Sequence, residues 1–435
     1  MTKPSRLFAF LSLFLLSTTL IAQSPKITAI KAGRLIDTVN GRVLENQTIL
    51  IEGDLIKAVG SNVAIPAGAE VIDLSTSTVL PGLTDSHVHI SGQAGTANYY
   101  DVLFRRTYID TAVTAHIYTK RTLDAGFTTV RDLGSTAFLA VSLKNAINRG
   151  EIEGPRIIPA TYYIGSTGSH GDLNGFSAWL ADRTPPEMSG IADGVDEVRK
   201  KVRYLIKNGA EVIKFGATAG VLSEEVSVGA PQYSQEEMNA IVAEAKLHGI
   251  KVTAHAHGTE GIKMAIRAGV DSIEHGSLID DDGIRMMKEK GTYLSADIYN
   301  DDFILAEFAK FGTPQKIIDK EKLVGRLQRE NFKKAVQAGV KIAFGTDAGV
   351  YPHGWNAKQF AKMVEWGMTP MAAIQASTVG NADLFGWTDK IGSITAGKYA
   401  DIIAVSGDPI QNIGILENVS FVMKGGTIYK NNVKK

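Results

Sequence analysis

Eight short strand-like segments alternate with helix-like stretches through the middle of the chain, and that alternation restricts the fold more than any other feature. The segments are Leu83–Ile90, Thr128–Leu133, Arg156–Ile164, Glu211–Gly216, Lys251–His257, Asp271–His275, Thr292–Asp297 and Lys341–Asp347. Helical stretches such as Val198–Asn208, Ser234–His248 and Glu260–Ala268 lie between them, and Ser234 followed by Glu237 is a capping-box signature. This order predicts a (β/α)8 TIM barrel over residues 83–388. The competing arrangement is an open doubly wound sheet. No phosphate-binding glycine fingerprint follows the first strand, which counts against a dinucleotide-binding version of that sheet.

The two ends read differently. Ile27–Ile30, Thr48–Glu52 and Leu55–Val59 are strand-like, with Asn40-Gly41 and Gly53-Asp54 as turns between them. Ala400–Val405 and Val419–Met423 repeat the pattern near the C-terminus. A small β-sandwich domain built from both termini, residues 23–82 plus 389–435, is therefore expected. Ahead of it, Lys3 and Arg6 precede an apolar run from Leu7 to Leu16, followed by Thr18-Thr19-Leu20-Ile21-Ala22. Residues 1–22 resemble a secretory signal peptide, and the run is short for a membrane span. The expectation is an exported protein, periplasmic or extracellular, with no membrane attachment once processed.

Charge and cysteine content exclude several functions. The 435 residues carry 46 basic and 46 acidic side chains and no Lys/Arg-rich run, so nucleic acid is not an expected partner. There is no cysteine, which removes disulfides, thiolate metal sites and a cysteine nucleophile. Any metal must be held by histidine, carboxylate or a modified lysine.

Polar residues fall where barrel active sites lie, at the C-terminal ends of the strands. Strand one ends in Asp85-Ser86-His87-Val88-His89, and residues two apart in a strand point to the same side. Strand four holds Lys214 inside Val212-Ile213-Lys214-Phe215. Strand five ends in His255-Ala256-His257, strand six in Glu274-His275, and strand eight in Thr346-Asp347. Singly, each has a plain explanation: a hydrogen-bonded core histidine, or a lysine snorkelling out of an apolar strand. Together they make six candidate ligands at five strand ends.

These residues carry a resemblance to the metal-dependent amidohydrolase superfamily that extends over essentially the whole chain after the leader. Ala254-His255-Ala256-His257-Gly258, Ser272-Ile273-Glu274-His275-Gly276 and Gly345-Thr346-Asp347-Ala348-Gly349 resemble the branch that includes imidazolonepropionase, binuclear Xaa-Pro dipeptidases and ochratoxin amidohydrolases. The resemblance implies two divalent metal ions, with zinc as the expected ion, held by His87, His89, Lys214 carboxylated by carbon dioxide, His255, His275 and Asp347. It implies His255 as the strand-five ligand, with His257 further out towards substrate. A buried lysine has a depressed pKa, so its neutral amine can take up carbon dioxide and become an anionic bridge between ions. A water shared by the ions is acidified. Asp347 would serve as general base and then acid in amide hydrolysis.

The expected partner is a small molecule, a peptide or N-acyl amino acid with a bulky apolar part, and a homo-oligomer is compatible with this. Xaa-Pro and ochratoxin-like amides are candidates, with opening of a cyclic amide as the alternative activity and a non-catalytic scaffold as a third. Candidate substrate-binding residues are His257, His170 in a Gly/Ser-rich loop, Tyr233 after strand four, Arg131 at the end of strand two, and His353 after Asp347. For Arg131 an ion pair with a barrel acid is the equal alternative. The long segment 165–192, with Phe176, Trp179, Pro185 and Pro186, is the expected lid and apolar pocket.

Overall fold

The structure is a computed structural model, and it describes residues 26–175, 177, 189–225 and 227–433. The expected signal peptide and the lid residues Phe176, Trp179, Pro185 and Pro186 lie outside the described residues.

Strands from both ends of the chain form one mixed sheet. It contains β1 (Ile27–Asp37), β2 (Arg42–Glu52), β3 (Leu55–Gly60), β4 (Glu70–Pro81), β12 (Ile402–Val405), β13 (Phe421–Lys424) and β14 (Thr427–Asn431). Their order is β14-β13-β12-β4-β1-β2-β3. The sandwich expected here is thus built as one hydrogen-bonded sheet rather than two separate ones. Alternation along the strands divides its side chains between two cores. Leu35, Val79, Ile402, Ala404, Phe421 and Met423 belong to the sheet's own cluster. Their neighbours Ile36, Leu80, Ile403, Val405 and Val422 belong to the large central core.

The central region is a TIM-barrel-type α/β domain. β5 (Leu83–Val88), β6 (Phe127–Asp132) and β7 (Arg156–Pro159) pair in parallel, as do β8 (Val212–Gly216), β9 (Lys251–Ala256), β10 (Ser272–His275) and β11 (Tyr293–Ser295). Single parallel bridges join these groups: Ile164 to Phe215, Leu294 to Ile342, and Ala348 to Val88. Parallel pairing therefore leads from β5 through seven strands and the segment 342–348 back to β5.

Two expected strands are shorter or less regular than their sequence suggests. The third stops at Pro159, and Thr161 adopts a left-handed backbone (φ 66°) that interrupts an extended run. The eighth, Lys341–Asp347, is held by bridges and single hydrogen bonds, such as Ser86 N to Phe344 O at 2.8 Å, and forms no named strand. Gly345 explains part of this. A Cβ there would lie 2.1 Å from Ser295 Oγ and 2.8 Å from Ser86 Oγ, so only glycine lets this segment approach its neighbours so closely. Asp347 (φ 56°) then turns out of line.

Helices pack around the strands with the signals their sequence carries. Gln235–Leu247 starts at the reciprocal Ser234/Glu237 capping box, and Thr107/Asp110 caps Tyr108–Asp124 in the same way. The longest helix, Gln315–Ala338, follows β11 and buries Lys320, Glu321, Gln328 and Arg329 among its apolar residues. None of the described helices is long and apolar enough to cross a membrane.

The two-core division can be tested in one pair of variants. Ile403→Ala empties a fully buried position between sheet and central core, and is expected to cost about 2–5 kcal/mol. Val71→Ala on β4, 47% exposed, should change stability by less than about 0.5 kcal/mol. Urea denaturation followed by circular dichroism measures both.

Candidate active site

β5 delivers His87 and, just beyond its end, His89 into a cavity of about 1300 Å³ that also takes in Lys214, His255, His257, His275 and Asp347. His87 Nε2 and His89 Nε2 stand 3.4 and 3.1 Å from the same oxygen, Asp347 Oδ1. Nitrogens of His255, His257 and His275 form a second close group, and His275, Asp297 and Asp347 a third. The rings lie against one another: His275 is 5.2 Å from His87 and 4.5 Å from His255, centroid to centroid.

Four of the histidines have a polar group behind the ring. His89 Nδ1 is 2.9 Å from the carbonyl of Gly134, and His275 Nδ1 is 2.9 Å from Asp297 Oδ1. These oxygens only accept, so Nδ1 carries a proton in both rings, and, against burial, the Asp347 carboxylate at His89 Nε2 raises that ring's pKa. His87 Nδ1 lies 3.1 Å from Glu274 Oε2, without the alignment of a hydrogen bond. His257 Nδ1 pairs with Ser277 Oγ at 2.8 Å. Burial first, then the Lys214 charge, pushes His87 down to about 4. Burial and neighbouring imidazoles hold His255 and His257 well below the ordinary histidine range. All three rings are neutral at pH 7, the state in which imidazole binds a metal.

The donor set fits divalent metal ions. His255 Nε2 and Asp347 Oδ1 are buried and have no hydrogen-bond partner, a costly state for ligand-type atoms facing a common space. Burial pushes the Asp347 carboxyl up, but the His87 and His89 contacts outweigh it and hold the carboxyl below the usual range, ionised. Lys214, 1% exposed, sits in β8 with its amine pushed down to about 8 by burial, against the pull of Glu274 and Asp347. About a tenth of it is neutral at pH 7, which is the form that reacts with carbon dioxide. His275 (φ 71°) and Asp347 (φ 56°) both adopt left-handed backbone, a strain of about 1–3 kcal/mol each of the kind that concentrates at working sites.

Of the expected substrate-binding residues, the structure brings two to the cavity. His257 lines it, as does His170, whose ring stacks on His255 at 4.2 Å. His170 Nδ1 pairs with Ser223 Oγ at 2.7 Å, and burial pushes its ring down to about 3. Gly220 makes room for that ring, since a Cβ would come within 2.4 Å of it.

Three expected residues do not line the cavity. Arg131 is fully buried: its guanidinium donates to Glu274 Oε1 at 2.7 Å, to Ser86 O at 2.6 Å and to Ser272 Oγ at 3.1 Å. The ion-pair alternative therefore describes it, with Glu274 as the acid. Tyr233 is buried, donates its hydroxyl to Ala192 O and packs on Phe215. His353 turns back under the site, with Nε2 2.8 Å from Gly92 O and 3.2 Å from His89 O.

The sequence reading passed over Glu274, Asp297 and Asp85. Glu274 and Asp297 stand behind His87 and His275, and Asp85 accepts from Thr346 Oγ1 at 2.6 Å and Asn356 Nδ2 at 2.8 Å. Their signal was present: each is an acid on or at the end of a predicted strand. Among the described residues, Val102, Leu103, Ile304, Phe308 and Phe311 give the cavity an apolar wall.

Residues 78–431 match the amidohydrolase family. The chain belongs to the amidohydrolase family. It is 33% identical over 424 residues to ochratoxinase of Aspergillus niger, covering 93% of this chain and 87% of that one. It is 24% identical over 424 residues to imidazolonepropionase of Fusobacterium nucleatum, covering 90% of this chain and 94% of the relative. Among solved structures, a Xaa-Pro dipeptidase with methionine bound in its active site superposes with a TM-score of 0.89 at 42% identity, over 93% of this chain and all of that one. The protein is thus an amidohydrolase that acts on C–N bonds, in the branch its strand-end motifs indicated.

Arg131 gives a direct test of structural against substrate-binding roles. Arg131→Met leaves Glu274 buried without its cation and is expected to cost about 3–5 kcal/mol. A marked fall in melting temperature, with KM unchanged in whatever folds, is the expected result; a raised KM at normal stability would return Arg131 to the substrate.

Proposed function

We propose that this amidohydrolase is an exported binuclear-metal enzyme cleaving the amide bond of dipeptides or N-acyl amino acids with a bulky apolar part, Xaa-Pro and ochratoxin-like amides among them. The unpartnered buried ligand atoms His255 Nε2 and Asp347 Oδ1 carry this reading, since water or a hydrogen bond within the protein would be the ordinary way to satisfy them. His87, His89, His255, His275, Asp347 and a carboxylated Lys214 would hold the ions. Two divalent ions there, with zinc as our choice, would acidify a water and polarise the scissile carbonyl.

The chain's own groups account for the proton and the substrate. Asp347, ionised, takes the proton of the attacking water as the C–O bond forms, and delivers it to the leaving nitrogen as the C–N bond breaks. His170 and His257, both neutral at pH 7, line the space beside the ligand group and offer hydrogen bonds to the substrate's amide or carboxylate oxygens. The apolar wall of Val102, Leu103, Ile304, Phe308 and Phe311 takes the bulky part and keeps water from the reacting bond. Residues 1–22 would direct export and be removed.

Metal analysis of the purified protein should give about two divalent ions per chain, and exhaustive chelation should abolish hydrolysis. Lys214→Ala is expected to fall to about one ion or fewer and lose activity. A metal-free preparation that still turns over would overturn the mechanism. Asp347→Asn should lower kcat by about 10²–10⁴ on the best substrate from a panel of dipeptides, N-acyl amino acids and cyclic amides. Near-normal turnover would remove Asp347 from proton transfer.

A further inference from the structure

The long helix Gln315–Ala338 presents Ile317, Glu321, Val324 and Gln328 to the cavity, a spacing that places all four on one helix face. Gln328 is tied into the site, donating to Asp297 Oδ1 at 3.0 Å and to His275 O at 3.3 Å. Ile317 and Val324 are apolar. Between them stands a carboxyl, Glu321, 4% exposed, and no hydrogen bond or ion pair among the described residues engages it.

Nearby cations are committed elsewhere. Lys320 Nζ is enclosed by the carbonyls of Gly220, Ser223 and Glu225 at 2.8, 2.7 and 3.2 Å. Arg329 pairs with Asp301 at 3.2 Å and Asp302 at 2.9 Å. The other charged groups acting on Glu321 are acids, Asp301, Asp297 and Asp347. Burial first and these acids next hold it up to about 8. Mostly protonated at pH 7 for that reason, this cavity-facing carboxyl has no partner among the described residues, and a cation seated beside it would ionise it.

We infer that Glu321 is a specificity residue that binds a protonated amine carried by the substrate. The inference rests on the amidohydrolase reading and narrows it, from amides in general to amine-bearing ones. Glu321 lies seven residues, about 10 Å along the helix, from Gln328 at the ligand group. The ammonium would therefore sit at the far end of an amino-acid side chain or at the amino end of a dipeptide, with Ile317 and Val324 against the carbon chain that carries it.

The experiment compares native enzyme with Glu321→Gln on two matched pairs that differ only in an amine: alanyl-proline with propionyl-proline, and glycyl-lysine with glycyl-norleucine. The expected result is a fall of about tenfold or more in kcat/KM for the amine-bearing member of at least one pair, with its partner nearly unchanged. Equal losses on both members of both pairs, no loss on any substrate, or a native enzyme that favours neither alanyl-proline nor glycyl-lysine over its matched partner would overturn the inference. Melting temperatures with 5-aminopentanol against 1,5-pentanediol read binding without turnover. A stabilisation by the amine in native protein that Glu321→Gln loses upholds the ammonium site even where no amide is cleaved, and the failure then belongs to the functional reading. Equal shifts in both proteins overturn the site.

Discussion

One buried carboxylate, Glu274, fixes the geometry on which the active site depends. Its Oε1 accepts from Arg131, Ser272 and Thr253, and its Oε2 faces His87. Arg131 in turn reaches Ser86 O, in the strand that carries His87. Four strands, β5, β6, β9 and β10, are thereby joined through one charge pair buried from solvent. Such a pair contributes little net stability, because desolvation offsets most of the attraction. Its value is positional: neither group can move without leaving the other unpaired.

Asp85 acts in the same way across the irregular eighth segment. It accepts from the backbone of His87 and Thr346 and from the side chains of Thr346 and Asn356. The segment forms no regular strand, so these bonds and the close approach at Gly345 hold Asp347 opposite His87 and His89. The left-handed backbone at Asp347 and His275 is tolerated because the surrounding bonds over-determine it. The long helix after β11 adds a third support. Its Gln328 holds Asp297, which holds His275, and its Lys320 holds the loop that carries Ser223, the partner of His170.

Much of this was legible in the chain. The strand alternation places seven of the eight predicted segments on observed strands, within a few residues at their ends, and the Ser234 cap starts its helix as read. Lys214, the strand-end histidines and Asp347 converge on one cavity as their positions implied. Arg131, Tyr233 and His353 were less legible. Each is a polar residue beside the predicted site, and a linear sequence does not show which side of a backbone turn will find a partner. Glu274 and Asp297 were in view as strand residues, yet their role appears only with the histidines they orient.

The sequence by itself determined the periodicities, the strand-end ligand types, the absence of any thiol chemistry and the composite terminal sheet, because these follow from local spacing and composition. Tertiary structure alone decided which polar residues line the cavity and which pair within the protein. The partner of Arg131 lies 143 residues away and the bonds of His353 reach back more than 260, so burial and pairing were set by packing between distant segments. Glu321 is the same case in reverse: helix spacing places it on an inward face, and only the packed fold shows that no ion pair among the described residues engages it there.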